Sequence, residues 1–139
     1  VSRRVGQAFI ENALEGKDLT INGDGIEELD FTYIDDLVQG IILSITKKES
    51  INQIFNITFG AARSINQLAE IVMENFPGVK LHHKERDGLM PERGTLSIAK
   101  AQKLIGYSPQ NPVEKGFINY INWYKYFYES NPKLFKKKM

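Results

Sequence analysis

Apolar positions first fall at helical spacing between Arg3 and Glu15, where Val5, Ala8, Phe9 and Ala13 share one face. Ser2 ahead of them and Gly16 behind supply a start and a stop, so the spacing predicts a helix there. Leu19 to Asn22 is a short extended piece running into Gly23-Asp24-Gly25, a tight turn that requires positive φ. Phe31 to Tyr33 is β-prone. Asp35 and Asp36 then open an apolar helix, Leu37 to Ile45, where the helix dipole favours carboxylates. The run Ile54 to Phe59 mixes β-branched with aromatic residues and predicts a mostly buried strand.

In the second half, Ser64 and Gln67 have capping-box spacing in front of a helix from Ile65 to Asn75, which stops before Pro77-Gly78. Val79, Leu81 and His83 alternate with Lys80, His82 and Lys84, the pattern of a strand with one wet face. A loop from Glu85 to Gly94 follows. Ile98, Ala101, Leu104 and Ile105 mark a short helix closed by Gly106 and Pro109. The last helix is predicted to begin with Asn111 as N-cap, Pro112 in its first turn and Glu114 two residues on. Its apolar stripe is Val113, Phe117, Tyr120, Ile121, Tyr124 and Phe127. Alternating helices and short strands, without internal repeats, predict an α/β or α+β chain.

Composition narrows the function classes. Of 139 residues, 42% are hydrophobic and 25% charged, ordinary for a globular domain. Eighteen Lys and Arg against 17 Asp and Glu leave a formal net charge of +1, so no nucleic-acid surface is expected. The basic run Lys136 to Lys138 reads as a frayed tail. There is no cysteine, which removes disulfides and thiolate metal sites. No apolar stretch approaches the ~20 residues of a membrane span. With neither a signal-peptide core nor an initiator Met, the chain is expected to be a fragment of a cytoplasmic protein.

Self-contained catalysis finds little support, and no residue is assigned a catalytic role. No Gly-x-Ser-x-Gly elbow occurs, and His82 and His83 are adjacent, so on a strand they point to opposite faces. His83 and Glu85 could give two metal ligands, but a third is not evident, so no metal is expected. Gly23 to Glu28 superficially resembles a dinucleotide fingerprint, but its sixth position is Glu, and Glu27 and Glu28 would repel a pyrophosphate. No Lys has a Tyr four residues upstream, so the chain carries no cofactor-binding or Tyr-x-x-x-Lys motif. Arg86 and Arg93 flank a loop between a strand and a helix, where guanidinium forks could hold a phosphate. Spacing alone favours ordinary surface arginines.

Several runs nevertheless resemble one family. Leu19 to Gly25 followed by Asp30-Phe31-Thr32-Tyr33-Ile34-Asp35-Asp36 and Gly40 is similar to the "GDG…RDFxYVDDxxxG" stretch of NAD-dependent epimerases and dehydratases, the extended short-chain dehydrogenases. Ser97 to Ala101 with Leu104-Ile105-Gly106-Tyr107-Ser108-Pro109 resembles their "DxxKAxxLLGYxP" element. Gly116 and Ile121-Asn122-Trp123-Tyr124 resemble their closing "EGIxxYIxWY" helix. Each motif is weak alone; in order and at the right spacing, they cover essentially the whole chain.

The resemblance implies an α/β fold forming the C-terminal, nucleotide-sugar-binding portion of such an enzyme. NAD and the catalytic pair would belong to an N-terminal Rossmann domain absent from this chain. Residues 31–60 are expected to pack on that domain, leaving 1–30 and 61–139 as the substrate lobe. Such enzymes oxidise and then re-reduce the sugar through NAD, and this portion would anchor the nucleoside diphosphate. Carried over by motif, Thr20 and Ile21 lie on the strand whose backbone meets the base, and Phe9 borders the pocket. Arg93 sits where dehydratases place a diphosphate-contacting Arg, and Arg86 where epimerases place theirs. The Arg usual before "DF" is Leu29, and the usual Asp of "DxxKA" is Ser97. The expected partners are the nucleotide sugar, the Rossmann domain and a second copy of the full-length enzyme, with neither nucleic acid nor membrane. A competing reading is a free-standing interaction module that docks a protein through its aromatic C-terminal helix.

Overall fold

The computed structural model describes residues 4–86, 88 and 93–132. Ser2, the basic tail and half of the 85–94 loop lie outside them. The order is α1 (Val5–Leu14), β1 (Leu19–Asn22), β2 (Glu28–Leu29), α2 (Ile34–Thr46), β3 (Arg63–Ser64), α3 (Ile65–Asn75), β4 (Leu81–Lys84), α4 (Ala99–Ile105) and α5 (Val113–Ser130). β1 pairs in parallel with β4, Leu19 opposite Leu81 and Asn22 opposite Lys84, while β2 and β3 form a small antiparallel pair. The chain is thus α/β.

The main core gathers α1, α3 and α5 over β1. Ile10, Leu19, Leu68, Val72 and Ile121 are almost completely buried in it. α3 begins on a complete capping box: Ser64 Oγ accepts from Gln67 N (3.1 Å), and Ser64 N donates to Gln67 Oε1 (2.9 Å). A smaller cluster joins α4 to the inner side of α2, with Ala101, Ile105 and Tyr107 packed against Leu43, Phe55 and Ile57. Glycine lets these pieces close: a Cβ on Gly40 would collide with Ile57, and one on Gly116 would come within 2.9 Å of the Tyr33 ring.

The structure corrects three local expectations. Phe31 to Tyr33 is not a strand, because the only pairing there is at Glu28–Leu29. Ile54 to Phe59 runs without a strand partner among the described residues, and Ile54 is 87% exposed. The last helix starts one residue late: Pro112 occupies the cap position, and Asn111 is drawn away to Asp36.

Candidate functional site

A cleft of about 1450 Å³ opens where the first half of α1, β1, the 27–34 segment, residues 93–96 and α5 converge. Phe9 and Ile21, both buried, face it from the core side. Thr20 and Asn22, at exposed positions of β1, reach its surface.

β1 offers more than side chains. Leu19 N and Gly23 N donate to Lys80 O (2.8 Å) and Lys84 O (2.7 Å), so alternation turns the peptide groups of Thr20 and Asn22 the other way. That second edge of β1 has no strand partner among the described residues. Backbone donors and acceptors that no described strand takes up therefore line the cleft, suited to a planar ligand with its own donor–acceptor edge.

The opposite chemistry comes from Arg93. Its neighbours are pinned from three directions: Leu96 N donates to Asp30 Oδ2 (3.1 Å), Ala62 N donates to Thr95 Oγ1 (3.0 Å), and Asn56 Nδ2 donates to Ser97 O (3.0 Å). Asp30 also accepts from Gly60 N (3.1 Å), so one carboxylate ties three separate segments together. Arg93 itself is exposed and lines the cleft, two residues ahead of this pinned stretch.

Of the residues singled out in sequence, Phe9, Thr20, Ile21 and Arg93 are brought around this one cleft. Arg86 is not; its aliphatic carbons lie over Gly23, 3.4–3.6 Å from where a Cβ would stand. Leu29, in place of the arginine of the resembling motif, lines the cleft and packs on the main core. The two histidines point apart as expected: His82 Nε2 meets Asp18 Oδ2 at 2.7 Å, and His83 Nδ1 meets Gly23 O at 2.8 Å. The hydrogen bond to His82, reinforced by that from Lys80 N, holds the Asp18 carboxyl below its usual range. No metal-binding cluster occurs among the described residues.

Sequence reasoning passed over Glu27, Tyr120 and Trp123, which also line the cleft. For Glu27 the available signal was its two-residue spacing from Leu29, which sets both on one face of an extended segment. Tyr120 belongs to the apolar stripe expected of the last helix, whereas Trp123 entered only through the closing-helix motif; it is 53% exposed and stacks on Phe127 with ring centres 5.0 Å apart.

The described residues do not fit a bound NAD. The Gly23-Asp24-Gly25 turn leads into a two-residue strand rather than a helix, and the α3 N-terminus that meets it already spends Asn66 N on Gly25 O (3.0 Å). The space beside Gly25 is filled by Asn66, whose Nδ2 donates to Asp24 O (2.9 Å).

Comparison with known proteins points the same way. Residues 2–58 match the model of the NAD dependent epimerase/dehydratase family. A Bacillus subtilis (strain 168) protein named as a UDP-glucose epimerase is 32% identical over 123 residues, covering 87% of this chain and 39% of that one. A UDP-glucuronate 4-epimerase of Thermodesulfobacterium geofontis is 36% identical over 123 residues, covering 84% of this chain and 36% of its own. The Bacillus cereus UDP-glucuronic acid 4-epimerase, solved with UDP-glucuronic acid and NAD, superposes with a TM-score of 0.82 at 28% identity, covering 90% of this chain and 40% of that one. The chain thus spans about two fifths of the length of the relatives it matches. Motifs, fold and sequence likeness agree that it belongs to the NAD dependent epimerase/dehydratase family.

Proposed function

We propose that the chain is the substrate-anchoring part of an NAD-dependent nucleotide-sugar epimerase or dehydratase. The observation that carries this is one cleft joining the unpaired edge of β1 to the Arg93 guanidinium. A nucleobase pairs with the backbone edge at Thr20 to Asn22, over the apolar floor of Phe9 and Ile21. The diphosphate is held at Arg93. Arg86, over Gly23 and outside the cleft lining, is a second candidate for the diphosphate. NAD and the proton-transferring residues belong to a Rossmann domain contributed by the remaining length of such enzymes. Binding energy collected on the nucleotide then holds the reacting sugar carbon in place, which is how a remote anchor raises the rate of a reaction it does not perform.

The outer face of α2 supports the same division. Ile34, Val38, Ile41, Ile42 and Ile45 form an exposed apolar stripe suited to packing on that domain, and the 54–59 segment has no strand partner among the described residues. Residues 31–60 are accordingly assigned to the domain contact and the rest to the substrate lobe.

Titration with UDP and UDP-sugars tests the reading. Arg93→Ala is expected to weaken binding by about 1.5–3 kcal/mol, the scale of a lost charge-assisted hydrogen bond. A change within a few tenths of a kcal/mol removes Arg93 from the site. The exposed Trp123 and Tyr126 favour a second reading, a protein-docking helix α5, and failure of the parent chain to bind any nucleoside diphosphate would move the weight to it.

A further inference from the structure

Among the residues lining the cleft is a carboxylate, Glu27. It is half-buried, and among the described residues its carboxylate has neither a hydrogen-bond donor nor an ion-pair partner. Its backbone is fixed, since Glu27 O accepts from Ile65 N (3.1 Å). Its neighbour on the same face is Leu29, which offers it no charge and no donor. Ionised, the carboxylate accepts hydrogen bonds only, and among the described residues none donates to it.

Position narrows what it takes. From the turn after β1, the chain runs Glu27, Leu29, Asp30, and Asp30 holds the amide of Leu96, three residues from Arg93. Extended backbone separates Glu27 from Asp30 by about 10 Å. In the chain, Glu27 thus stands between β1 and the Asp30 carboxylate that holds the segment after Arg93. It is a poor neighbour for phosphate, which it repels, and a good one for a pair of hydroxyl donors. A vicinal diol presents two O–H groups to the two oxygens of one carboxylate, the same chemistry by which an acidic residue holds a ribose in dinucleotide folds.

We propose that Glu27 is a specificity-determining residue that reads the ribose 2′- and 3′-hydroxyls of the nucleoside diphosphate, selecting ribonucleotide over 2′-deoxyribonucleotide ligands. This rests on the cleft being the nucleotide site. A 2′-deoxy ligand leaves one carboxylate oxygen desolvated and unpaired, so it binds more weakly.

The test is calorimetric titration of the protein with UDP and with 2′-deoxy-UDP, for the parent chain, Glu27→Gln and Glu27→Ala. Circular dichroism verifies that each variant is folded. The readout is the affinity ratio of the two ligands, in which any repulsion between Glu27 and the diphosphate cancels. The parent is expected to prefer UDP by roughly tenfold, the scale of one charge-assisted hydrogen bond. Both variants are expected to bring the ratio to within about twofold of unity. Equal affinities in the parent, or an unchanged ratio in the variants, overturn the assignment of Glu27 while leaving the nucleotide site standing. Failure of the parent to bind either ligand overturns the site and this inference together.

Discussion

Tyr107 shows how much one side chain can hold at the rim of the smaller cluster. It is almost fully buried, and its hydroxyl donates to Thr58 O at 3.0 Å. Burial, with the nearby charges of Asp36 and Asp30, pushes its pKa up to about 12 from an ordinary 10.0. The fold therefore favours the neutral phenol. The stability linked to it is fully present below pH 10 and is lost as pH climbs from 10 toward 12. Tyr124, buried and donating to the Glu11 carboxylate, is pushed up to about 12 as well and adds to the same alkaline window. Tyr107→Phe is expected to cost about 1 kcal/mol at pH 8, by leaving the Thr58 carbonyl without its donor. It should also flatten the fall in stability above pH 10. Urea midpoints at pH 8 and 11.5 for both chains check this, and parallel slopes would remove Tyr107 as a contributor.

At the level of elements, legibility follows the range of the interaction. The Ser64–Gln67 capping box spans three residues and could be read directly, as could the Gly16 and Gly106 stops, both at positive φ. The Ile54 to Phe59 run could not be read correctly, because its composition states only that it fits a pleated surface, and no partner strand is present among the described residues. Phe31 to Tyr33 failed for the same reason. Asn111 looked like an N-cap in isolation. What overrode that signal is Asp36, 75 residues away: buried, it accepts from Gln110 N (2.8 Å), Asn111 N (2.9 Å) and Asn111 Nδ2 (3.0 Å). Reading Asp36 as a helix-dipole residue captured its place in the first turn of α2 but not its bond to the start of α5. The candidate site divides likewise: Phe9, Thr20, Ile21 and Arg93 are legible through motif resemblance, whereas Glu27 joins them only through the folded cleft. Asp36→Ala is expected to destabilise the chain by about 3 kcal/mol, since buried donors lose their acceptor, and Asp36→Asn by less. Urea unfolding of both variants decides it; a loss below ~1 kcal/mol for Asp36→Ala would show that the junction re-pairs with water.

For the whole molecule, the telling feature is an imbalance between its two sides. One side closes on α1, α3 and α5 with almost no exposed aliphatic surface in its core, while α2 turns five aliphatic side chains outward, Ile45 being 78% exposed. A stripe this continuous is more than the scattered apolar residues any surface carries. If it packs on another domain, it contributes nothing to the stability of this chain alone. Ile41→Glu combined with Ile45→Lys puts an opposite-charge pair at helical spacing on that face. The double variant is expected to leave the urea midpoint within roughly 0.5 kcal/mol of the parent, as for other surface substitutions. The parent is expected to self-associate through this face, with a sedimentation coefficient that rises with concentration, and the double variant is not. If instead the variant lost more than ~2 kcal/mol, those isoleucines would be core residues of this unit. Residues 31–60 would then have to be counted as part of the substrate lobe rather than its contact with a Rossmann domain.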